Sequence, residues 1–152
     1  MWSHTKSAVF VLFTALAIPA GAASMDDKIP DQQTIDALEI KASQAPPRDQ
    51  CFLYAELLHD MIEVSLRQYA AGDQEKATGL LKKAQDLAHK IHLAVSDDNK
   101  RLKNAEILLR HTAFRLNEML HESASEDRPI VQETLARVNE AQTEAMMQVF
   151  KK

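Results

Sequence analysis

The sequence predicts an all-α protein, a helical bundle of four main antiparallel helices preceded by a short leading one. Three observations carry that expectation. The whole chain of 152 residues holds only three glycines, so few positions interrupt a helix. No stretch alternates Val, Ile or Thr with polar residues as a half-buried strand would. Apolar residues instead recur every three or four positions, between clusters of Pro, Gly, Asp and Ser that punctuate the chain.

The first element is read as a targeting segment. Lys6 precedes an apolar run from Ala8 to Ile18, then come Pro19 and the small residues Ala20, Gly21, Ala22 and Ala23. The run is shorter than the roughly 20 apolar residues a membrane span needs, and its flanks are those of a secretory signal peptide. Residues 1–22 are therefore expected to be cleaved, leaving 23–152 as one α-helical domain, periplasmic or secreted, with no stable membrane insertion. The net charge of −4 falls to about −5 without Lys6, with both signs interspersed. That balance argues against nucleic acid as a partner. With one cysteine in the chain, Cys51 has no internal disulfide partner. It is expected to be a small buried apolar side chain, or to pair between chains.

Five helical segments follow. The first, about Asp31 to Ala45, places Ile35, Leu38, Ala42 and Ala45 on one face and ends at Pro46-Pro47, since proline restricts the preceding residue and has no amide to donate. The second runs from about Pro47 to Ala71, with Gly72 as a left-handed cap and Asp73 positioned to cap the third. The third, about Gln74 to Val95, carries Ala77, Leu80, Leu81, Ala84, Leu87, Ala88, Ile91 and Val95 on one side. Ser96-Asp97-Asp98 offers caps for a fourth helix reaching Glu122, with Leu102, Ala105, Leu109, Ala113, Leu116 and Leu120 as its stripe. Pro129 suits the first turn of a fifth, whose stripe is Val131, Leu135, Val138, Ala141, Ala145 and Val149.

The second helix differs from the others. Its apolar residues cover about two-thirds of the circumference, too wide for one neighbour, which predicts a central position. One narrow arc is polar: Glu56, His59, Asp60, Glu63 and Arg67. It is expected to face water.

That arc contains half of the sharpest chemical hint in the chain. ELLH at 56–59 and EMLH at 118–121 each set a Glu and a His three residues apart, the arrangement by which some bundles hold two irons. Such a site needs both pairs buried, facing and level. The first pair sits on the polar arc, and Glu118 lies opposite Leu102, Leu109 and Leu116. With helices two and four on either side of helix three, the pairs also differ in height by about 12–15 Å at 1.5 Å per residue. The expectation is no metal and no cofactor. His89 and His92 form another i, i+3 pair, read as solvated, and Met61, Met119, Met146 and Met147 are read as space filling rather than haem ligands. Ser65 and Cys51 lack the framed turn or adjacent base that activates a nucleophile, so no catalytic residue is expected and the protein is read as no enzyme.

Residues 61–84, MIEVSLRQYAAGDQEKATGLLKKA, resemble one tetratricopeptide repeat. Ser65 stands as the small residue of its first helix, Gly72-Asp73 at its turn, and Ala77, Leu81 and Ala84 in its second helix. The resemblance implies a repeat-like helix pair, closed by the helices that follow. As a whole the chain resembles the small uncharacterised exported helical proteins of bacteria, which implies export and no particular activity.

A protein partner is suggested by the fourth helix. Ile107 and Phe114 lie seven residues apart and away from its core stripe, flanked by Arg110 and His111. Large apolar residues there call for cover, either from the first helix and the Pro46-Pro47 linker or from another molecule. The functional expectation is an exported, non-catalytic interaction or structural module that meets a protein partner or forms a homodimer. The alternative is a metal- or haem-binding bundle.

Overall fold

The computed structural model describes residues 29–151. The signal segment expected over 1–22 lies outside them. Among the described residues the chain is all-helical: α1 (Gln32–Gln44), α2 (Pro47–Ala70), α3 (Gln74–Ala94), α4 (Leu102–Glu122) and α5 (Arg128–Phe150). None of these helices is long and apolar enough to cross a membrane.

Local chemistry sets most of the boundaries. Asp31 caps α1 by accepting from the Thr34 amide at 2.8 Å, and Ala45 turns extended ahead of Pro46 as a pre-proline residue must. The α2–α3 turn closes with two reverse hydrogen bonds, Asp73 N–H to Gln68 O at 2.9 Å and Gly72 N–H to Tyr69 O at 3.0 Å, with Gly72 at φ 83°. This is the Schellman arrangement, and it needs a residue tolerant of positive φ at that position. Asp73 then caps α3 by accepting from the Lys76 amide, a bond that holds its carboxyl below its ordinary pKa.

The start of α4 departs from expectation. It begins at Leu102 rather than just after Ser96-Asp97-Asp98. Those polar residues hold a loop instead: Asn99 accepts from the Ser96 amide at 2.6 Å, Asp98 pairs with Arg48, and the Lys100 amide donates to the Arg48 carbonyl at 2.8 Å. Arg101 precedes the helix at φ 57°, ψ 27°, a left-handed conformation that no capping residue can share with an ongoing helix.

The same loop corrects the helix arrangement. It returns the chain to the first turn of α2, so α4 lies beside α2, not across α3 from it. Contacts form a ring, α2 to α3 to α5 to α4 and back to α2, with α1 laid on α2. The two helices of the α2–α4 face run parallel, since His59 meets Thr112, Glu63 meets Arg115 and Tyr69 meets Ala124 and Asp127.

One contiguous apolar core draws on all five helices. Among the three neighbours of α2, Leu57, Leu58 and Ile62 are completely buried, each contributing about 1.5–3 kcal/mol through its burial. The stripes of α3 and α5 lie inward as the sequence suggests, except that Leu80, Val95, Leu135 and Val149 are only partly covered. Thr134 is buried on α5 and donates to the Ile130 carbonyl, while Gln85 of α3 donates to its hydroxyl at 3.0 Å. On α4, Glu106, Thr112 and Met119 are buried, whereas Ala113 and Leu120 remain partly covered.

Candidate functional site

The polar arc of α2 does not simply face water. Its residues Glu56, His59, Asp60 and Glu63 are half-buried, and α4 packs alongside and supplies polar partners to His59 and Glu63. Thr112 of α4 is fully buried and donates its hydroxyl proton to the Leu108 carbonyl at 2.8 Å. The oxygen can then only accept from His59 Nδ1, 3.0 Å away. This fixes the neutral His59 ring as the Nδ1–H tautomer. The His111 ring lies beside it, with centroids 5.2 Å apart and planes inclined by 30°.

One turn further along, Arg115 reaches across the seam. Its Nε and Nη2 donate to the two carboxylate oxygens of Glu63 at 2.7 and 3.1 Å, and its Nη1 donates to Glu118. Hydrogen bonding to Glu63 raises the guanidinium pKa further, with Glu118 adding to the effect. A fork of this kind fits a carboxylate face to face. Asp60 sits between Glu56 and Glu63: burial pushes its carboxyl up to about 6, and the two glutamates add repulsion.

These groups line a cleft of about 770 Å³ between α2 and α4, closed at one side by Ile29 and Pro30 and bordered by Phe114. Chemically it is a titratable, mainly acidic hollow with one aromatic lip. It holds two imidazoles, a protonatable carboxyl and a guanidinium already engaged with two carboxylates.

The anticipated contact patch on α4 divides over this feature. Phe114 and His111 stand on the cleft's α4 lip, with Phe114 58% exposed, and Ile107 stands two turns back along the helix at 46% exposure. Arg110 leans the other way, toward Glu106 at 3.7 Å, which also accepts from Gln142 of α5 at 2.9 Å. Neither α1 nor the proline linker covers Ile107 or Phe114 among the described residues: α1 packs against α2, and both side chains stay exposed.

The two Glu-x-x-His pairs acquire different roles. Glu118 is tied to Arg115, and His121 Nδ1 bonds to the carbonyl of Asn117 at 2.7 Å. Across the seam Glu118 connects through Arg115 to Glu63, which lies outside the first pair. Among the described residues no three His, Cys, Asp or Glu side chains converge as a metal would require. His89 is exposed and His92 half-buried, so that pair is not simply solvated. Ser65 is buried and donates to the Ala77 carbonyl of α3 at 2.9 Å, binding the α2–α3 hairpin together. Cys51 is fully buried, and desolvation pushes its thiol up to about 11.

What sequence reasoning missed is the meeting of the two polar strips. Arg115 was the available signal: a long cation, three residues before Glu118, on a flank of α4 that also carries Thr112 and His111. Comparison with family models, with curated proteins and with solved structures finds no match. The reading of function rests on the chain's own residues.

Proposed function

We propose that this chain is an exported, non-catalytic helical interaction module. Four main helices in up-down order and a short leading helix form its frame, and its contact face is the α4 surface carrying Ile107, Arg110, His111 and Phe114. The observation that carries the reading is the exposure of Ile107 and Phe114, 46% and 58%, on one face of a helix whose opposite faces are packed. Large apolar side chains left open beside a polar cleft are what interface anchors look like before a partner covers them. The signal-like start of the sequence supports export, and the Ser65, Gly72 and Ala77 contacts of the α2–α3 hairpin suit a repeat-like pair.

The test combines location with association. N-terminal sequencing of the exported form is expected to show cleavage near Ala22. Sedimentation of the purified chain, alone and with the exported fraction, is expected to reveal a complex that Phe114→Asp abolishes without lowering the melting temperature. A monomer with no partner sensitive to Phe114→Asp contradicts the module. Stoichiometric metal or a visible haem band contradicts it in favour of a metal- or haem-binding bundle.

A further inference from the structure

At the pole where α2 and α4 both begin, a second cavity of about 480 Å³ opens, well separated in character from the acidic cleft. Its floor is apolar, made by Phe52 and Leu53 of α2 and by the Ala45-Pro46 corner. Its rim is basic. Lys41 comes from the last turn of α1, and Lys100 and Arg101 come from the loop before α4. The one carboxylate at the rim, Asp49, pairs with Lys100 at 3.6 Å. In a chain whose net charge is −4, three cations against one carboxylate leave this rim net positive.

A further feature points the same way. Arg101 holds its guanidinium 3.6 Å above the Phe52 ring centroid, from the left-handed backbone described above. A residue other than glycine persists there only where its surroundings hold it, and such positions gather at ligand sites. Neither α2 nor α4 has a side-chain cap at its N-terminus. The amide ends of α2 and α4 and the carbonyl end of α1 meet at this pole, so the helix dipoles offset one another and the rim cations carry the attraction for an anion.

We propose that this cavity binds a small anionic amphiphile, a single-chain carboxylate whose tail lies along Leu53 and the Ala45-Pro46 corner and whose headgroup sits among Lys41, Lys100 and Arg101, the last of which already covers the Phe52 ring. The volume falls within the range of small-molecule sites, about 300–1,000 Å³. A neutral alkane chain leaves the cations without a counterpart, and a free small anion leaves the apolar floor wet. This inference is independent of the α4 contact face, and either reading can fail alone.

The experiment is calorimetric titration of the purified chain with decanoate, kept below its micelle concentration. One saturable site is expected for decanoate, and none for acetate or for decyltrimethylammonium. Lys41→Gln/Lys100→Gln is expected to weaken decanoate binding by about ten-fold or more, as loss of charge-assisted contacts does. Lys82→Gln/Lys151→Gln makes the same charge change away from the cavity and is expected to leave affinity unaltered. All these exposed positions are expected to preserve the melting curve. Absence of a saturable site, equal binding of decyltrimethylammonium, or equal affinity in the two double variants overturns the proposal. So does capture of the chain by phosphatidylglycerol vesicles in place of decanoate, which reassigns the basic rim to a lipid surface.

Discussion

Arg115 of α4 and Glu63 of α2 join the two parallel helices through a two-pronged hydrogen bond, at 2.7 and 3.1 Å, with Glu63 more deeply covered than Arg115. Truncating Arg115 strands a largely covered carboxylate beside Asp60. Arg115→Ala is expected to lower unfolding stability by about 1–3 kcal/mol, the range for losing one partner of a half-buried charged pair. Arg115→Lys keeps the charge but not the fork and is expected to fall between. Urea denaturation of the three proteins measures this, and an Arg115→Ala midpoint equal to wild type contradicts it.

Asp60 gives the seam a pH dependence of definite sign. Its carboxyl titrates near 6 in the fold, against an ordinary value near 4 when unfolded. Between those values the folded chain binds more protons than the unfolded one, so this group makes stability fall as pH rises from about 4 to about 6. Above that window the penalty is complete. Asp60→Asn is therefore expected to stabilise the protein at pH 8 by on the order of 1–2 kcal/mol after allowance for solvent screening, and to change little at pH 4. Melting curves at the two pH values test the difference.

Cys51 is expected to behave as part of the core. A fully buried thiol with its pKa near 11 has almost no thiolate at neutral pH. Labelling by a thiol-disulfide reagent should wait for unfolding and speed up with urea. Rapid labelling of the native protein at pH 7.5 would place Cys51 at the surface.

The faces of α2 separate cleanly by substitution. Leu58 is completely buried, and Leu58→Ala is expected to cost about 2–5 kcal/mol. Glu56→Ala is expected to stay within about half a kcal/mol, and above pH 6 it relieves repulsion on Asp60. Similar losses for both, measured by urea denaturation, would mean that the faces of the helix had been exchanged.

Much of the architecture was legible because helix punctuation is local. Asp31, Pro46, Gly72, Asp73 and Pro129 each act within a few residues of their position, and the corresponding boundaries match the structure to within one or two residues. The wide apolar coverage of α2 likewise foretold a helix with several neighbours. The α3–α4 connection was not legible, because Ser96, Asp98 and Asn99 are as suitable for holding a loop as for capping a helix. Misplacing α4 then hid the seam. A polar arc is assigned to water when its partner helix is put elsewhere, and Thr112, Glu106 and Thr134 could be recognised as interior residues only once the facing side chains were known.

Tyr69 and the 95–101 loop mark how the molecule could come apart. The α2–α3 and α4–α5 pairs are each continuous in sequence, while the contacts of α2 with α4 and of α3 with α5 join one pair to the other. Tyr69 accepts from the Ala124 amide at 2.8 Å and donates to Asp127 at 3.1 Å, fastening the far end of that junction. A single peptide cleavage between Ser96 and Asp97 would leave two complete hairpins with complementary faces. Produced as separate pieces, 23–96 and 97–152 should recombine into the native arrangement, making the chain a natural template for a split reporter.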